Sequence, residues 1–282
     1  MGTLYVVATP IGNLEDISAR ALRILSEVSL IAAEDTRHTR KLLTHFGINT
    51  PMVSYHAFNE RSRRDRLLAA LGSGNVALVT DAGTPGVSDP GTELVDAALH
   101  AGFDVRAVPG ASSLGAAASV SGLLTGPFTF LGFLPRKATE RRQLIGRARS
   151  TGFGVVLFES PSRLRDTMRE LSGTFLGRRY AVVRELSKLH EEVCRGTFAA
   201  NETFDEFEGL RGEIVIVVEP GAGPPNDDPD DVIAGLLSTG MKASDAAREA
   251  ARMTGLPRSE LYKRAVDMAN EVGVAPRQTP SA

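Results

Sequence analysis

The sequence predicts an α/β protein of two domains, with a parallel sheet in the first, a mixed sheet in the second and a small helical unit at the C-terminus. Three observations support this class. Short apolar runs alternate with helix-period segments through the first half, which is the pattern of a parallel sheet covered by helices. Two later strand-like runs can pair as neighbours without a long helical crossover, as a mixed sheet allows. The 282 residues are also enough for two packed domains.

The first half of the chain supplies the parallel sheet. Strand-like apolar runs lie at residues 4–8, 30–33, 52–55, 76–80 and 105–108. Segments of helical period separate them, and in the first such segment Ala21, Ile24 and Leu25 fall on one face. Continuous hydrophobicity over residues 76–79 is typical of a strand covered on both faces. We assign residues 1–115 to this first α/β domain.

The second half begins a different arrangement at about Pro127. Strand-like runs lie at residues 128–133, 154–159, 180–185, 193–198 and 213–219. An arginine-rich helix follows the first of these runs, and Ser160 and Pro161 open another helix as its N-cap and first residue. We assign residues 116–220 to a second α/β domain.

The last part of the chain changes composition twice. Residues 221–231 are rich in proline, glycine and acid, cannot pack a core and are predicted to form a linker. Short helices are expected at residues 232–237, 243–253 and 258–272, within a helical unit over residues 232–273. Residues 274–282 are expected to form a disordered tail.

Composition excludes several functional classes. The formal net charge of −2 argues against a protein that coats nucleic acid through bulk charge, although local basic faces remain compatible with it. A single cysteine, Cys194, excludes an intramolecular disulfide framework and favours a reducing compartment. No apolar stretch approaches the ~20 residues of a membrane span, and the N-terminus lacks a basic signal segment. We expect a cytoplasmic protein with no membrane contact and, since no histidine or acid spacing suits one, no metal.

Three loops are candidates for a ligand site, because ligands of open parallel sheets gather at the carboxyl ends of strands. The first, TPIGNL at residues 9–14, lacks the glycine pattern of a dinucleotide site. The second, DAGTPGVSDPG at residues 81–91, fixes a backbone path suited to approach a ligand. Asp81 in this loop would accept a hydrogen bond from a hydroxyl or an ammonium of the ligand. The alternative is that Asp81 and Asp89 only cap a helix or a turn. The third, at residues 109–114, offers hydroxyls at Ser112 and Ser113 that bind a ligand or cap a helix.

These motifs together resemble a known family. The runs are TPIGNLEDIS, AAEDTRHTRKLL, HAFNE, TDAGTPGVSDPG, VPGASS, FLGFLPRK, FESPSRL and RELSKLHEEVCRGT. They resemble the tetrapyrrole-methylase family, in the branch that methylates small-subunit ribosomal RNA, over residues 2 to about 219. Methylases of small tetrapyrroles typically carry a glycine-rich first loop, which Thr-Pro-Ile-Gly-Asn replaces here, and RELSK belongs to the RNA branch. Departures at Gly86-Val87 and Ser187 affect only the fine shape of the donor pocket.

The resemblance implies a function and a set of binding residues. It implies S-adenosylmethionine in a cleft between the two α/β domains, a homodimer, and methyl transfer to a cytidine 2′-oxygen in the decoding region of 16S ribosomal RNA within the 30S subunit. By position, the residues expected to meet the methyl donor are Pro10, Asp81, Gly83, Thr84, Ser112, Ser113, Phe158, Gly212, Glu213 and Ile214.

The RELSK segment is the candidate catalytic element. A ribose hydroxyl is a poor nucleophile while protonated, so a base or a nearby cation is expected. Lys188 would lower the pKa of the ribose hydroxyl, or would accept the hydroxyl proton if its own pKa is depressed. Glu185 would orient Lys188, and Arg184 would lie on the opposite side of the strand end. The alternative is an interdomain salt-bridge set. His56 is a second candidate base, ranked below Lys188.

Basic clusters are the candidate RNA surface, since phosphate contacts position a protein on RNA. The residues expected to contact RNA are Asp35, Arg37, Asn59, Arg61, Arg63, Arg64, Arg136, Lys137, Arg141 and Arg142. The alternatives are solvated helix faces for the basic residues and a helix cap for Asp35. Phe58 and Tyr55 are the candidates for stacking on a splayed base.

Two other functions remain open at this point. One is methylation of a small tetrapyrrole or another small acceptor with the same donor site. The other is a ribosome-associated RNA-binding protein that keeps the fold without turnover. The arginine clusters and RELSK favour RNA over a tetrapyrrole, and the intact loops TDAGTPG and VPGASS favour donor binding over an inactive fold.

Overall fold

The first sheet is parallel, as predicted. The structure is a computed structural model that describes residues 2–221, 229–238, 241–254 and 256–272. The five strands are β1 (Thr3–Val7), β2 (Leu30–Ala33), β3 (Met52–Ser54), β4 (Val76–Val79) and β5 (Asp104–Val108). Their order in the sheet is β3-β2-β4-β1-β5, with every pair parallel. This order places the ends of β4, β1 and β5 side by side.

Helices cover both faces of this sheet. They are α1 (Ala19–Glu27), α2 (Thr36–His45), α3 (Glu60–Ser73) and α4 (Thr92–His100). Helices α1 and α2 pack on one face, where Leu25 and Leu43 meet Ile31. Helices α3 and α4 pack on the other, where Leu67 and Leu94 are buried. All of β4 is therefore buried, which confirms the strand covered on both faces.

The second sheet is mixed. Its strands are β6 (Phe128–Phe133), β7 (Gly154–Glu159), β8 (Arg179–Arg184), β9 (Glu192–Thr197) and β10 (Ile214–Val218), in the order β6-β7-β10-β8-β9. Only β6 and β7 are parallel, and the other pairs are antiparallel. Helices α6 (Ala138–Ser150) and α7 (Pro161–Thr174) pack on its core, and short 3-10 turns lie at Leu14–Asp16 and Asp205–Phe207.

Helix α5 (Ser113–Ser121) joins the two sheets. It follows β5 but packs against β8 and β10, where Ala117 is buried with Ala181, Val183 and Val215. The small residues of α5 allow this close packing. The expected boundary between residues 115 and 116 falls inside this helix, and the division into domains remains a prediction.

Three helices end the described chain: α8 (Pro229–Ser238), α9 (Ala243–Thr254) and α10 (Arg258–Val272). They share a separate core that includes Ile233, Ala247 and Leu261. Helix α8 begins three residues before the expected position, so residues 229–231 are helical rather than linker, because Pro229 suits a first helical turn. Residues 222–228 and 274–282, the rest of the predicted linker and the tail, lie outside the described residues. Among the helices that the structure describes, none has the length and apolar character needed to cross a membrane.

Candidate active site

The three predicted loops meet at one edge of the first sheet. The amide of Thr9, after β1, donates to the carbonyl of Gly83 at 2.9 Å, and the amide of Gly83 donates back to Thr9 at 3.1 Å. The hydroxyl of Thr84 donates to the carbonyl of Ala111, after β5, at 3.4 Å. Strand order explains the convergence, since β4, β1 and β5 are neighbours.

The loop after β4 has the positive-φ positions that its glycines predict. Gly83 has φ +79° where it pairs with Thr9, and Gly91 has φ +136° at the start of α4. A Cβ atom at Gly91 would also approach Leu78 closer than 3.0 Å. Glycine is therefore required at both ends of the loop, which fixes its path.

Four carboxylates gather at the ends of β2 and β4. Asp81 accepts a hydrogen bond from the amide of Asp35 at 3.1 Å, and Glu34 accepts one from the amide of Asp81 at 3.3 Å. Burial raises the pKa of Glu34. Burial, with the charges of Glu34 and Asp81, raises the pKa of Asp89 to about 6. We call Glu34, Asp35, Asp81 and Asp89 the acidic patch.

Sequence reasoning took Asp89 for a cap and missed its place in this patch. The only signal was its position inside a loop with more turn residues than a simple connection needs. A carboxyl with a raised pKa in a cleft is a candidate for ligand contact. The acidic patch suits a ligand that carries positive charge, as the sulfonium and ammonium groups of S-adenosylmethionine do.

The second sheet supplies an apolar cluster that reaches the loops after β4 and β5. Phe158 on β7 makes edge contacts with Phe130 and Phe133 at centroid distances of 4.9 and 5.6 Å. Ala82 and Ala111 from the first-sheet loops pack in the same cluster. Carboxylates at the first sheet and aromatic surface at the second fit a charged ligand with an adenine ring, so the predicted cofactor matches the residues present.

Not every residue predicted to meet the donor turns its side chain to the cleft. Ile214 is buried in the core under α6 and α7, so this position offers only its backbone. Ser112 caps α5 by accepting from the amide of Gly115 at 3.3 Å, which is the capping role left open above. Gly212 has φ +98°, and a Cβ there would collide with the carboxylate of Glu185. Its role is to leave room for that side chain.

The RELSK turn connects β8 to β9 and reaches the first loop. Two of its residues, Glu185 and Ser187, have positive φ. The hydroxyl of Ser187 donates to the carboxylate of Asp16. A Cβ on Gly12 would lie closer than 3.0 Å to Lys188 Cγ, so the glycine of TPIGN is needed for the lysine to cross it. These contacts attach the RELSK turn of the second sheet to the first loop of the first sheet. The alternative role of RELSK as an interdomain salt-bridge set also predicts such contacts.

Lys188 is held between two carboxylates. Its Nζ donates to Glu185 Oε1 at 2.8 Å and to Glu213 Oε2 at 3.2 Å, and Glu185 Oε1 also accepts from the amide of Glu213 at 3.0 Å. Burial lowers the pKa of Lys188, but the two carboxylates raise it by more, and the net pKa is raised. The depressed pKa that a general base would need is therefore not found, while a cationic role is consistent with this geometry.

Arg184 and His56, the other two candidate catalytic residues, each contact a residue close to them in the chain. Arg184 donates to Glu192 Oε2 through Nε at 3.2 Å and Nη2 at 2.7 Å, across the β8–β9 hairpin. His56 Nε2 lies 3.2 Å from Asn59 Nδ2, and its amide donates to Asn59 Oδ1 at 2.8 Å. Asn59 thus shapes the turn after β3. The buried Nδ1 of His56 has no hydrogen-bond partner among the residues that the structure describes.

The two aromatic candidates for base stacking differ. Tyr55 is 1% exposed, packed under α3 and α4, so it cannot stack on a base; the prediction for Tyr55 is wrong because its apolar neighbours bury the ring. Phe58 is 98% exposed at the same end of the sheet. Of the two candidates, Phe58 is therefore the one that can stack on a splayed base.

The predicted RNA contacts fall into paired and unpaired groups. Asp35 caps α2 and binds Arg37 Nη2 at 2.7 Å, which holds the pKa of Asp35 well below its usual range. Arg141 pairs with Glu170 at 2.5 Å and donates to backbone carbonyls, a structural role between α6 and α7. Ion pairs also join Arg64 to Asp65 and Lys137 to Glu140. Within the described ranges, the predicted basic RNA residues without an ion pair are Arg61, Arg63, Arg136 and Arg142.

A metal centre has no support in the described part of the chain. No group of three or more histidine, cysteine, aspartate or glutamate side chains there is arranged to hold a metal ion. Cys194 on β9 is a free, half-buried thiol whose pKa is raised by burial.

Comparisons with known proteins agree with this fold. The profile of the family described as Tetrapyrrole (Corrin/Porphyrin) Methylases matches residues 3–201, and that of the RsmI C-terminal HTH domain matches residues 224–269. The chain is 45% identical to a Ribosomal RNA small subunit methyltransferase I from Synechocystis, over 95% of this chain and 99% of the relative. It is 46% identical to the protein of that name from Xylella fastidiosa, over 93% and 98%.

Solved structures share the arrangement at low identity. The methyltransferase CobJ aligns with a TM-score of 0.60 at 19% identity, covering 79% of this chain and 95% of that one. A uroporphyrin-III C-methyl transferase from Thermus thermophilus, complexed with S-adenyl homocysteine, aligns with a TM-score of 0.55 at 20% identity, covering 78% and 97%. These likenesses show the fold.

Proposed function

The chain belongs to the tetrapyrrole methylase family, in its ribosomal RNA small subunit methyltransferase I branch, and from this premise we propose that it methylates the 2′-oxygen of a cytidine in 16S ribosomal RNA. It is an S-adenosylmethionine-dependent methyltransferase of ribosomal RNA. The finer proposal is a cytidine in the decoding region, modified within the 30S subunit in the cytoplasm. The observation that carries the proposal of transfer to a hydroxyl oxygen is Lys188, held as a cation beside the first-sheet loops.

The acidic patch and the apolar cluster around Phe158 would hold the donor. S-adenosylmethionine, when bound, supplies an electrophilic methyl group on a sulfonium. Asp81 and Asp89 would lie near its positive charge, and the backbone at Gly83 and Thr84 would face its polar groups. Phe158 would cover its apolar part and exclude water.

Lys188 would act on the ribose hydroxyl as a fixed positive charge. Glu185 and Glu213 raise its pKa, so it stays protonated and stabilises developing alkoxide rather than accepting a proton. The hydroxyl proton is then released to solvent. Glu185 positions Lys188, and Gly212 leaves space for Glu185.

RNA would be held by the unpaired arginines and by an exposed ring. Arg61 and Arg63 lie on α3, close in sequence to Phe58. Arg136 lies just before α6, and Arg142 lies on it. Unpaired cations suit phosphates, and an exposed aromatic side chain suits a base removed from its stack. The helices α8–α10, matched by the HTH profile, would add a further contact to the subunit.

We also propose a homodimer. Val120 on α5 and Phe128 and Phe133 on β6, the edge strand of the second sheet, are 38%, 41% and 56% exposed. An apolar surface beside a free sheet edge favours association. Analytical ultracentrifugation at micromolar concentration tests it, and a monomer at every concentration would contradict it.

The test of function is transfer of labelled methyl to three acceptors: purified 30S subunits, naked 16S RNA and a tetrapyrrole precursor. We expect label in the RNA, and nucleoside mass spectrometry should identify 2′-O-methylcytidine. Label in the tetrapyrrole alone would overturn the RNA assignment. Calorimetry with S-adenosylmethionine is the parallel measurement, and absence of binding would leave only an RNA-binding role.

A further inference from the structure

A cavity lies between α2 and the loop after β1, next to residues predicted to meet the donor. Its volume is about 380 Å³, within the range of small-molecule sites. Helix α2 lines one side of the cavity and the TPIGN loop lines another. Residues 80–82, which follow β4, line a third. Lys188 and Glu213 close it from the second sheet. Three predicted donor residues, Pro10, Asp81 and Glu213, line it, whereas Thr84, Ser112 and Phe158 do not. The cavity therefore adjoins the predicted donor site and extends from it toward α2.

The floor of this cavity, which we call the α2 pocket, holds a polar atom without a partner. Thr39 is 2% exposed, and its hydroxyl has no hydrogen-bond partner among the described residues. Helical threonines often bond the carbonyl four residues earlier, as Thr174 does with Glu170 at 3.3 Å. Thr39 does not, and a buried hydroxyl left unpaired costs about 1–3 kcal/mol. A ligand atom that bonds it would remove this cost.

Helix α2 supplies basic side chains to the rim of the α2 pocket, while the carboxylates of Asp81 and Glu213 line another part of it. His38, Lys41 and His45 are exposed on successive turns of α2, and none forms an ion pair within the described ranges. Ile11 and Leu42 supply apolar wall below them. A basic rim over a floor with apolar and hydroxyl groups suits a molecule with a phosphate, a sugar and a ring.

Lys188 decides where the ribose must lie. If Lys188 acts on the 2′-hydroxyl, that hydroxyl has to enter the space that Lys188 lines, and this space is the α2 pocket. In-line transfer also requires the acceptor oxygen and the donor sulfur on opposite sides of the methyl group, so the acceptor needs a space of its own.

We infer that the α2 pocket receives the target ribonucleotide. Its ribose lies toward Lys188, its phosphate lies along Lys41 and His45, and one of its polar atoms bonds the Thr39 hydroxyl. The inference rests on the proposed function and names the place of its substrate.

The probe is cytidine 5′-monophosphate at millimolar concentration, titrated by NMR into protein saturated with S-adenosylhomocysteine. Lys41→Ala with His45→Ala should weaken binding about tenfold, and Thr39→Val about fivefold, for the loss of charged and neutral hydrogen bonds. The matched controls are Arg40→Ala and Thr44→Val, exposed on the same helix and outside the pocket, which should leave affinity unchanged.

Two further readouts separate the possible failures. The KM for 30S subunits should rise in the pocket variants while donor affinity stays within about twofold. Loss of donor affinity in these variants would assign the pocket to the donor and overturn the inference. Unchanged or unmeasurable binding of the nucleotide, with normal methylation of 30S subunits by the wild type, would overturn the inference and leave the function intact. Nucleotide binding that depends on Thr39 and Lys41, without any methylation of RNA, would overturn the function and leave the pocket.

Discussion

Two sets of carboxylates border the cleft, and they are in opposite electrostatic states. Glu185 on the RELSK turn has its cation within the chain, since Lys188 lies 2.8 Å away and lowers its pKa. Glu34 and Asp89 in the acidic patch have raised pKa values, with burial as the first cause and neighbouring carboxylates adding to it. The first set has its cation in the free protein. In the second set Asp35 pairs with Arg37, but Glu34, Asp81 and Asp89 form no ion pair with the residues that the structure describes. The difference indicates that the acidic patch serves a cationic ligand and the RELSK pair serves the acceptor.

The largest effect should come from removing the cation of the first set. Lys188→Ala should lower the rate of methyl transfer to 30S subunits about 10³-fold, because the charge that stabilises the alkoxide is lost. Donor affinity should stay within a few-fold by calorimetry. Turnover at the normal rate would remove Lys188 from the mechanism, and Lys188→Arg, which keeps the charge but not the shape, should recover part of the rate.

Displacing Lys188 without removing it should have a smaller effect. Gly12→Ala places a Cβ against the lysine stem, so the ammonium must move, and kcat should fall about 10- to 100-fold. Gly72→Ala is the control, because a Cβ there meets nothing within 4 Å. If single-turnover rates of the two alanine variants are equal, the crossing of Lys188 over Gly12 has no role in catalysis.

The raised pKa of Asp89 in the acidic patch should make the free energy of unfolding depend on pH. The pKa of Asp89 is about 6 in the folded protein, above its ordinary value of 3.8, so the folded state binds more protons than the unfolded state between these pH values. Stability should therefore fall as pH rises through this window. Asp89→Asn should raise the free energy of unfolding at pH 7.5 by about 1 kcal/mol, and by less at pH 5. Urea unfolding at both pH values tests this, and a variant less stable at pH 7.5 than the wild type would contradict it.

The two regions also differ in how far sequence predicts them. The loop after β4 was predictable in path because its glycines and prolines specify turns locally, and Gly83 and Gly91 do adopt positive φ. The RELSK turn has positive φ at Glu185 and Ser187, where the sequence has no glycine that would predict it. Contacts with Asp16, Glu213 and Gly12 from distant segments impose this backbone conformation. Propensity is overridden there by tertiary contacts.

Single side chains were the least predictable part of the site. The alternation of apolar runs gave the strands within a residue or two, because burial period is a local property. Whether Tyr55 faces solvent, whether Asp89 gains a raised pKa and whether Arg141 is free depend on neighbours from other elements. The α2 pocket was not predicted, because its walls come from five segments brought together only by the fold.

The central claim is that the two carboxylate sets serve different substrates, and one calorimetric comparison tests it directly. Asp81→Asn and Glu185→Gln each replace a carboxylate with its amide, one in the acidic patch and one in the RELSK pair. Titration with S-adenosylmethionine should show affinity about tenfold weaker for Asp81→Asn, from the loss of about 1.4 kcal/mol, and within about twofold of wild type for Glu185→Gln. Equal losses in the two variants, or a larger loss in Glu185→Gln, would contradict the account.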